Sequence, residues 1–416
     1  MALCSSDLAK YKAAIIMNIL FVCHHLPYAL APHSGGLDVY HYMASLSTYH
    51  EVSLVSFVTP QEMQYVDSLR PLCRHIRTIQ LDRSWKARLG RGLLRVVYPM
   101  QYGHTLSLTY YKELRQLAEM ETFDVVHCVA PWMAQYRQIV PNAAWVLDEV
   151  DIYSQVAWQI YQQARNIKRL YAGFEWRKLE RYELRICRQM DAIVVRSPYD
   201  RIWLQARVPG VQIEVLPPWF EGLDALLQIP AIRPPGNDVL FMGAMNRPPN
   251  VEAVLKFVRD VLPLVQAKVP NVHLWIVGGN PRPEILRLRD YPNVRVTGYV
   301  KDLTEFYQRA AVVIAPLSQA GGIIVKVLNG MAAARPVVAT SVANRGIAAE
   351  VGKTIMIADD AFNFAAAIVE LLYNLEHWNR LAQAGRQFIQ ENYAWSKIIQ
   401  NLESLYSAAL TRKRRS

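Results

Sequence analysis

Short apolar runs in the first half of the chain alternate with stretches in which apolar residues recur every three or four positions. The apolar runs predict β-strands at residues 15–23, 51–58, 124–129, 144–148 and 191–196. Helical patterns separate these runs, among them residues 37–48 and a long basic stretch at 165–190. Strands that are apolar throughout and separated by helices predict a parallel sheet with helices on both faces.

The same alternation restarts after a proline-rich segment. Residues 215–219 read VLPPW, and Pro230, Pro234 and Pro235 follow soon after. The second series predicts strands at residues 239–242, 273–277, 294–297, 312–315 and 337–340, and helices at 251–269, 303–310, 323–334 and from 361 onward. The proline-rich segment is therefore the expected hinge between two halves.

Two such series predict an α/β protein with two Rossmann-like, doubly wound domains that face each other across a cleft. The expected domains are residues 17–215 and 216–390, with an N-terminal extension at 1–16 and a terminal helix and basic tail at 391–416. Ligands of this kind of fold bind at the carboxyl ends of the strands. The site residues are therefore expected at those strand ends.

Composition agrees with a globular protein in a reducing compartment. The 416 residues are 52% hydrophobic and 19% charged, which suits two domains. The five cysteines are scattered and form no C-x-x-C, so we expect reduced thiols and a cytoplasmic location. Residues 13–23 are either a signal sequence or a buried first strand. We favour the strand, because the run passes into His24 and His25 without a small-residue cleavage pattern. Met17 is a second candidate start, which would make the preceding residues an appendage.

The net charge of +11 predicts an anionic partner or surface. The excess cations lie at residues 85–95, along the helical pattern 165–190 and in a tail at 412–415 that we expect to be solvated and mobile. The helical pattern is either a solvated face or a surface that rests on anionic lipid at the inner face of the membrane. No helix-turn-helix, zinc or RNA-binding signature indicates a nucleic-acid partner.

Two glycine pairs are candidates for contact with phosphate. Gly35 and Gly36 follow the first strand and precede a helix, where a missing Cβ lets backbone amides approach a diphosphate; the alternative is an ordinary tight turn. Gly321 and Gly322, with Ile323, stand before a second helix, whose N-terminal amides favour anions. Lys326 comes one turn into that helix. It is either a phosphate ligand or a surface lysine.

The order of several segments resembles one family. The segments include DVVHCV from Asp124, FMGAMNRPPNVEAV from Phe241, LWIVGG from Leu274 and KVLNGMAAARPVVAT from Lys326. Together they resemble the retaining, nucleotide-sugar-dependent glycosyltransferases of GT-B architecture (glycosyl transferases group 1, family 4 type), over nearly the whole chain after residue 17. Within that family the nearest variant is the exopolysaccharide-associated sugar transferases. The resemblance implies a hexosyltransferase that moves a sugar from a nucleotide-diphosphate sugar to a polysaccharide or lipid-linked glycan, without cofactor or metal.

The resemblance also implies a set of donor-binding residues: Gly35, Gly36, Gly243, Arg247, Gly278, Gly321, Gly322, Ile323, Lys326 and Asn329. The family has two glutamates with seven residues between them, of which the first contacts the donor sugar and the second the ribose. This chain has Gly321 and Asn329 at those positions. Asn329 can still bind a ribose by hydrogen bonds, whereas Gly321 offers its backbone alone. Either the sugar is held differently or catalysis is weakened. The alternative function is thus a weakened or inactive homologue that binds nucleotide or acts as an assembly subunit, and a phosphate-releasing epimerase is a third.

Candidates for the chemistry lie in the first half. In the resembled family the departing diphosphate takes the proton of the acceptor, and a histidine near the positions of Val150 and Asp151 assists. This chain has Asp148, Glu149 and Asp151 there instead. We expect Asp148 and Asp151 to anchor or deprotonate the acceptor, the alternative being capping of the next helix.

Two further predictions concern His127 and the last helix. His127, in DVVHCV, is a third catalytic candidate, or else a satisfied structural residue. No H-E-x-x-H or Cys/His cluster predicts a metal site. Apolar residues at helical spacing through 388–406 predict a helix that either crosses back onto the first domain, as the resemblance implies, or ends the second.

Overall fold

The computed structural model describes residues 16–31, 34–81, 98–220, 222–319 and 322–415. These residues form two compact units. The first unit contains the described residues up to Val195, Arg201–Trp219 and those from Ile399 onward. The second contains Arg196–Asp200 and Phe220–Ile398. The sequence predicted boundaries after residues 215 and 390, whereas the main changes between the two units fall after Trp219 and after Ile398.

The first unit is built on a seven-stranded parallel sheet in the order β3-β2-β1-β4-β5-β6-β7. Its strands are β1 Asn18–Cys23, β2 Glu51–Val58, β3 His75–Gln80, β4 Val125–Val129, β5 Ala144–Glu149, β6 Ala192–Val195 and β7 Gln212–Val215. The central strands β1, β4, β5 and β6 are buried almost throughout, because helices cover both faces. The order in which the sheet grows outward from β1 in both directions is that of a doubly wound fold.

Helices and short turns connect these strands. The α-helices are α1 Ser34–Leu46, α2 Met100–Thr105, α3 Leu108–Met120, α4 Tyr153–Gln163, α5 Ile167–Cys187 and α6 Pro198–Gln205. Two 3₁₀ segments, Met63–Leu69 and Pro131–Ile139, complete the connections.

The second unit repeats the design with a six-stranded parallel sheet in the order β10-β9-β8-β11-β12-β13. Its strands are β8 Asp238–Met242, β9 His273–Val277, β10 Val294–Gly298, β11 Ala310–Ala315, β12 Val337–Ala339 and β13 Met356–Ile357. Its helices are α7 Leu223–Leu227, α8 Pro248–Lys256, α9 Leu262–Gln266, α10 Pro283–Leu286, α11 Thr304–Arg309, α12 Val325–Ala332, α13 Ser341–Asn344, α14 Ala361–Tyr373 and α15 Leu375–Asn392. A π-helical turn, Phe257–Val261, joins α8 to α9.

The predicted alternation matches the observed order of elements, and the exceptions have physical reasons. The strand β3 was not predicted, because it is an edge strand with one buried residue and the sequence HIRTIQ has no apolar run. The strand β7 was not predicted either, because it is the other edge strand and its sequence QIEV has no apolar run. The helix predicted at 323–334 begins later, at Val325, and ends at Ala332.

The last helix, α16 Trp395–Arg415, belongs to the first unit from Ile399 onward. Its apolar face includes Leu402, Leu405 and Tyr406, all buried. The basic tail forms the last turns of α16, which continues to Arg415, and its residues are mostly exposed. Arg412 donates from Nη1 to the carbonyl of Gly210 at 2.7 Å, which fixes this end of the helix to the loop before β7.

Some predictions fall on residues outside those described. They are the extension at 1–16 apart from its last residue, the basic stretch at 85–95 and Gly321. Within the described ranges, each helix is too short or too polar to cross a membrane.

Candidate functional site

The loops that follow β8 and β9 in the second unit lie directly against each other. The amide of Gly243 donates to the carbonyl of Val277 at 2.9 Å, and the amide of Met245 donates to the carbonyl of Gly279 at 2.9 Å. A Cβ on Gly278 would stand 1.8 Å from the carbonyl oxygen of Gly243. Only glycine therefore fits at 278, and the two predicted residues Gly243 and Gly278 shape one backbone surface at the carboxyl edge of the sheet.

Lys326 lies beside this backbone surface. It stands in the first turn of α12 and is 9% exposed. Its ammonium donates to Oδ1 of Asn250 at 2.7 Å and lies 4.2 Å from the ring centre of Phe241. Burial lowers its pKa to about 7. The alternative of a surface lysine was wrong. Its hydrogen-bond partner is a neutral amide, so this contact leaves the charge of the protonated form available to an anion.

The start of α12 adds backbone donors to the same edge. Gly322 adopts a left-handed φ of +63°, and the N-cap residue Ile324 makes no side-chain capping bond. A Cβ on Gly346 would come within 2.4 Å of the Gly322 carbonyl oxygen, so that glycine lets two chain segments meet. Gly322 and Ile323 thus lie directly before the helix, as predicted. The amides of its first turn are of the kind that bind anions.

Two arginines flank the loops after β8 and β9. Arg247, a predicted donor ligand, is exposed and occupies the N-cap position of α8. Arg282 donates from Nη2 to the carbonyl of Asn246 at 2.9 Å and occupies the N-cap position of α10. The sequence analysis missed Arg282 and gave Asn250 no role. The sequence signal for both residues was that each comes shortly after a strand and the glycine that follows it.

Asn329, the predicted ribose ligand, is largely buried in α12. The residue is 7% exposed and its Oδ1 atom is buried. Burial raises the pKa of the Tyr307 phenol. The nearby carboxamide of Asn329 acts in the opposite direction and lowers that pKa in part. Neither Oδ1 of Asn329 nor the Tyr307 hydroxyl completes a hydrogen bond of normal geometry within the described residues. Oδ1 therefore faces the interior, and the predicted ribose contact is left to the NH₂ group.

In the first unit, Gly35 and Gly36 lie in the first turn of α1 rather than in the loop before it. A Cβ on Gly35 would stand 3.1 Å from Cγ1 of Val150, just beyond the end of β5. Asp151 follows and is exposed. The structure therefore brings the glycine pair and Asp151 to the same part of the carboxyl edge.

Two histidines continue this edge at the end of β1. Nδ1 of His25 lies 2.9 Å from Nε2 of His24, and Nδ1 of His24 lies 3.3 Å from the carbonyl of Val129 at the end of β4. Both rings are partly exposed. Because β1, β4 and β5 are neighbours in the sheet, His24, His25 and Asp151 lie at the same part of its carboxyl edge.

His127 and Asp148 lie elsewhere, in the core of the first unit. Both are fully buried, and Nε2 of His127 lies 3.2 Å from Oδ2 of Asp148. Nδ1 of His127 lies 2.8 Å from the Tyr406 hydroxyl. The network is satisfied when Nε2–H donates to the carboxylate and the phenol donates to Nδ1. The predicted catalytic role of these two residues is therefore replaced by a structural one: they link β4 and β5 to the last helix.

The alternative role predicted for Asp148 and Asp151 was to cap the next helix, which is α4, and this was also wrong in its details. The first turn of α4 takes its carboxylate from Glu183: the Ser154 amide donates to Oε2 at 3.2 Å, and the Ser154 hydroxyl donates to the same atom. Glu183 and Glu149 are both buried. Burial, with a contribution from Glu183, raises the pKa of Glu149 well above its usual range. This pair was not found from the sequence, since Glu183 follows β5 by a whole helical hairpin.

A cavity of about 400 Å³ in the first unit is separate from these residues. Pro141 and Gln189 line it, and they precede β5 and β6, so it lies toward the amino ends of those strands. None of the predicted site residues lines it. Across the described ranges, no cluster of His, Cys, Asp and Glu could hold a metal ion.

Comparisons with known proteins bear on both units. Residues 236–374 match the family model described as glycosyl transferases group 1. A protein of Klebsiella pneumoniae, described as an uncharacterized 44.6 kDa protein in cps region, is 24% identical over 423 residues, covering 92% of this chain and 98% of that relative.

Two solved structures are similar over most of the chain. Sucrose-phosphate synthase from Thermosynechococcus elongatus gives a TM-score of 0.60 at 19% identity, covering 94% of this chain and 98% of its own. HepE of Anabaena, solved in complex with UDP, gives a TM-score of 0.62 at 12% identity, covering 94% of this chain and 100% of its own. At these identities the likeness establishes a shared fold.

Proposed function

We propose that this chain, which has the fold of the GT-B glycosyltransferases and matches the group 1 family model at residues 236–374, transfers a sugar with retention from a nucleotide-diphosphate sugar. The acceptor in this proposal is a polysaccharide or lipid-linked glycan. The observation that supports it most is Lys326, a buried ammonium at the N-terminus of α12 whose hydrogen-bond partner is a neutral amide.

The donor diphosphate binds, in this proposal, at the carboxyl edge of the second unit. Backbone amides around Gly322 and Ile323 bind phosphate oxygens, and Lys326 in its protonated form supplies a positive charge. Gly243 and Gly278 keep side chains away, so that the ligand reaches the backbone. Arg247 and Arg282 lie on the loops beside this surface and add charge from the solvent side.

The chemical step depends on charge that develops on the departing diphosphate. As the bond from the sugar to the donor phosphate breaks, an oxygen of that phosphate gains negative charge and accepts the proton of the attacking acceptor hydroxyl. Groups that stabilise this charge more strongly in the transition state than in the ground state accelerate transfer. Lys326 and the start of α12 have that role here, and no metal or cofactor takes part in the scheme.

The acceptor binds in this proposal at the carboxyl edge of the first unit. Asp151 is exposed there and can accept a hydrogen bond from a sugar hydroxyl. His24 and His25 are partly exposed at the end of the neighbouring strand β1. These three side chains therefore replace His127 and Asp148 as the residues that meet the acceptor.

The setting we propose is the cytoplasmic face of the inner membrane, where the protein is peripheral and extends a lipid-linked surface polysaccharide. The relative from a cps region supports the polysaccharide part of this proposal. The net charge of +11 supports attraction to an anionic surface.

The test is incubation of the purified chain with a panel of UDP- and GDP-sugars and a membrane extract that contains lipid-linked glycans. We expect release of the nucleoside diphosphate from one donor and a product whose anomeric configuration, determined by NMR, equals that of the donor. A product of inverted configuration would contradict retention. Neither transfer nor hydrolysis across the whole panel would count against the transferase itself.

A second candidate function, nucleotide binding without turnover in an assembly subunit, is favoured by Gly321 and Asn329 at the two glutamate positions. The buried Oδ1 of Asn329 is in keeping with it. This candidate predicts that a nucleoside diphosphate binds while every sugar of the panel stays intact. The same incubation therefore separates the two functions once binding has been measured.

A further inference from the structure

The helical hairpin of α4 and α5 in the first unit exposes large apolar side chains instead of burying them. No residue from 155 through 178, all of them described, is fully buried. The exposed apolar side chains are Val156, Trp158, Ile160, Ile167, Leu170, Tyr171 and Phe174, with exposed fractions between 37% and 79%. By contrast, the second half of α5 packs on the sheet through Leu179, Tyr182 and Ile186.

The spacing of these side chains shows that their exposure is a pattern. In α5 the positions 167, 170, 171 and 174 lie on one face of the helix, at the spacing that normally faces a protein core. Positions 156 and 160 form a second pair, one turn apart on α4. Apolar side chains exposed together on one helix face mark a place where another apolar phase binds.

The hairpin is a defined structural element. Trp158 and Trp176 lie with ring centres 4.4 Å apart across the two helices. A Cβ on Gly173 would stand 2.9 Å from the ring of Tyr161, so glycine lets α4 and α5 approach closely there. Asn166, with a left-handed φ of 56°, makes the turn between the helices. The apolar surface is therefore presented on a framework held by its own aromatic contacts.

The charges around this surface identify its partner. Arg165, Lys168 and Arg169 are exposed close in sequence to the apolar side chains of α5, and the sequence has no Asp or Glu between Asp151 and Glu175. A second copy of the chain would bring these same cations together, which costs free energy. An anionic lipid surface instead accepts the cations at its headgroups and the apolar side chains below them. Tyr171 and Trp158 are of the type enriched at that boundary.

We propose that the α4–α5 hairpin, residues 153–178, is a membrane-binding element that inserts its apolar face into anionic phospholipid. The proposal rests on the proposed function for its setting, a lipid-linked acceptor, but its binding is independent of sugar transfer. It places the contact on the first half of α5 and on α4. The later basic residues of the pattern 165–190, Arg177, Arg181, Arg185 and Arg188, lie largely beyond that contact.

The experiment is flotation of the full chain with vesicles of phosphatidylcholine alone and of an equimolar mixture of phosphatidylcholine and phosphatidylglycerol. We expect binding to the mixed vesicles that weakens strongly in high salt, since exposed charges are then screened. The double variant Lys168→Ser, Arg169→Ser is expected to bind about 30-fold more weakly. The double variant Leu170→Ser, Phe174→Ser is expected to lose more than about tenfold.

Matched controls come from the same unit. Leu108 and Met120 are exposed apolar residues on α3, and the variant Leu108→Ser, Met120→Ser should bind vesicles like the wild type. Lys112→Ser with Arg70→Ser serves the same purpose for charge. Because all these side chains are exposed, the variants should keep the thermal stability of the wild type.

Three outcomes would overturn the proposal. The hairpin variants could bind as tightly as the controls, the wild type could fail to bind mixed vesicles, or sedimentation could show a dimer that the Leu170→Ser, Phe174→Ser variant dissociates. Titration with UDP keeps the two proposals apart. A chain that binds UDP but no vesicle refutes the hairpin alone, whereas one that binds vesicles but no nucleoside diphosphate refutes the proposed donor site.

Discussion

The ammonium of Lys326 lies 2.7 Å from Oδ1 of Asn250, and this pair joins the start of α12 to the start of α8. The lysine lies in the first turn of α12, and the asparagine lies in the first turn of α8. The pair therefore places a cation where two glycine-containing loops and a helix N-terminus meet in the second unit. Several measurable consequences follow from this arrangement and from the buried groups of the first unit.

The affinity for UDP should fall as the pH rises above about 7. Burial lowers the pKa of Lys326 to about 7, so the free protein loses the ammonium progressively above that pH. A bound diphosphate favours the charged form, and binding then takes up a proton, at a limiting cost of about tenfold in affinity per pH unit. Calorimetric titration in buffers of different ionisation enthalpy measures both effects. A Lys326→Met variant with the same pH dependence as the wild type would refute the assignment.

Gly278→Ala should destabilise the second unit, whereas Gly236→Ala should not. A Cβ at 278 would stand 1.8 Å from the Gly243 carbonyl, but a Cβ at 236 meets nothing within 4 Å. The loops after β8 and β9 must separate to accept the first change, at a cost of about 2 kcal/mol or more. Thermal unfolding of both variants checks this, and equal midpoints would show that the close contact is absent in solution.

Tyr406→Phe should lower the free energy of unfolding by about 1–3 kcal/mol, because it leaves Nδ1 of buried His127 without its hydrogen bond. The matched change is Tyr373→Phe, which removes a hydroxyl that donates to the carbonyl of Lys268 at an exposed site. That change should have little effect, since water replaces the lost bond. Urea denaturation compares them. An unaffected Tyr406→Phe variant would mean that the last helix is not held through this network.

Glu149→Gln should stabilise the protein increasingly as the pH rises above the pKa of an unfolded glutamate, about 4.3. The pKa of Glu149 is raised in the folded state, chiefly by burial, so the wild type is fully favoured only below the unfolded pKa and loses stability as the pH rises. Glutamine resembles the protonated acid and removes this loss. Urea denaturation at several pH values measures the difference. Glu119→Gln, at an exposed glutamate, should show no such trend; equal trends in both variants would disprove a buried protonated Glu149.

The order of strands and helices was predictable because buried parallel strands are apolar along their whole length. For the same reason, a polar residue inside such a run is itself buried. His127 within VVHCV illustrates this: both neighbours on each side are apolar, and the ring is fully buried. The sequence left both a catalytic and a structural His127 open, and its position in the middle of β4 was evidence for the structural one.

The partners across the fold were not predictable from one sequence. Lys326 could be placed in the first turn of its helix, but its burial depends on Asn250 and Phe241, which are distant along the chain. The capping of α4 by Glu183 depends in the same way on how α5 packs. Local patterns specify the elements, while contacts between elements decide which polar residues are available to a ligand.

Calorimetric titration of UDP and GDP into the wild type, Lys326→Met and Lys353→Met tests the proposed donor site most directly. Lys353 is an exposed lysine of the same unit, paired with Glu350, and provides the control. We predict that at least one nucleoside diphosphate binds the wild type and Lys353→Met alike, and binds Lys326→Met about 10- to 100-fold more weakly. Equal affinity of all three proteins, or no binding of either nucleotide to the wild type, would contradict this account.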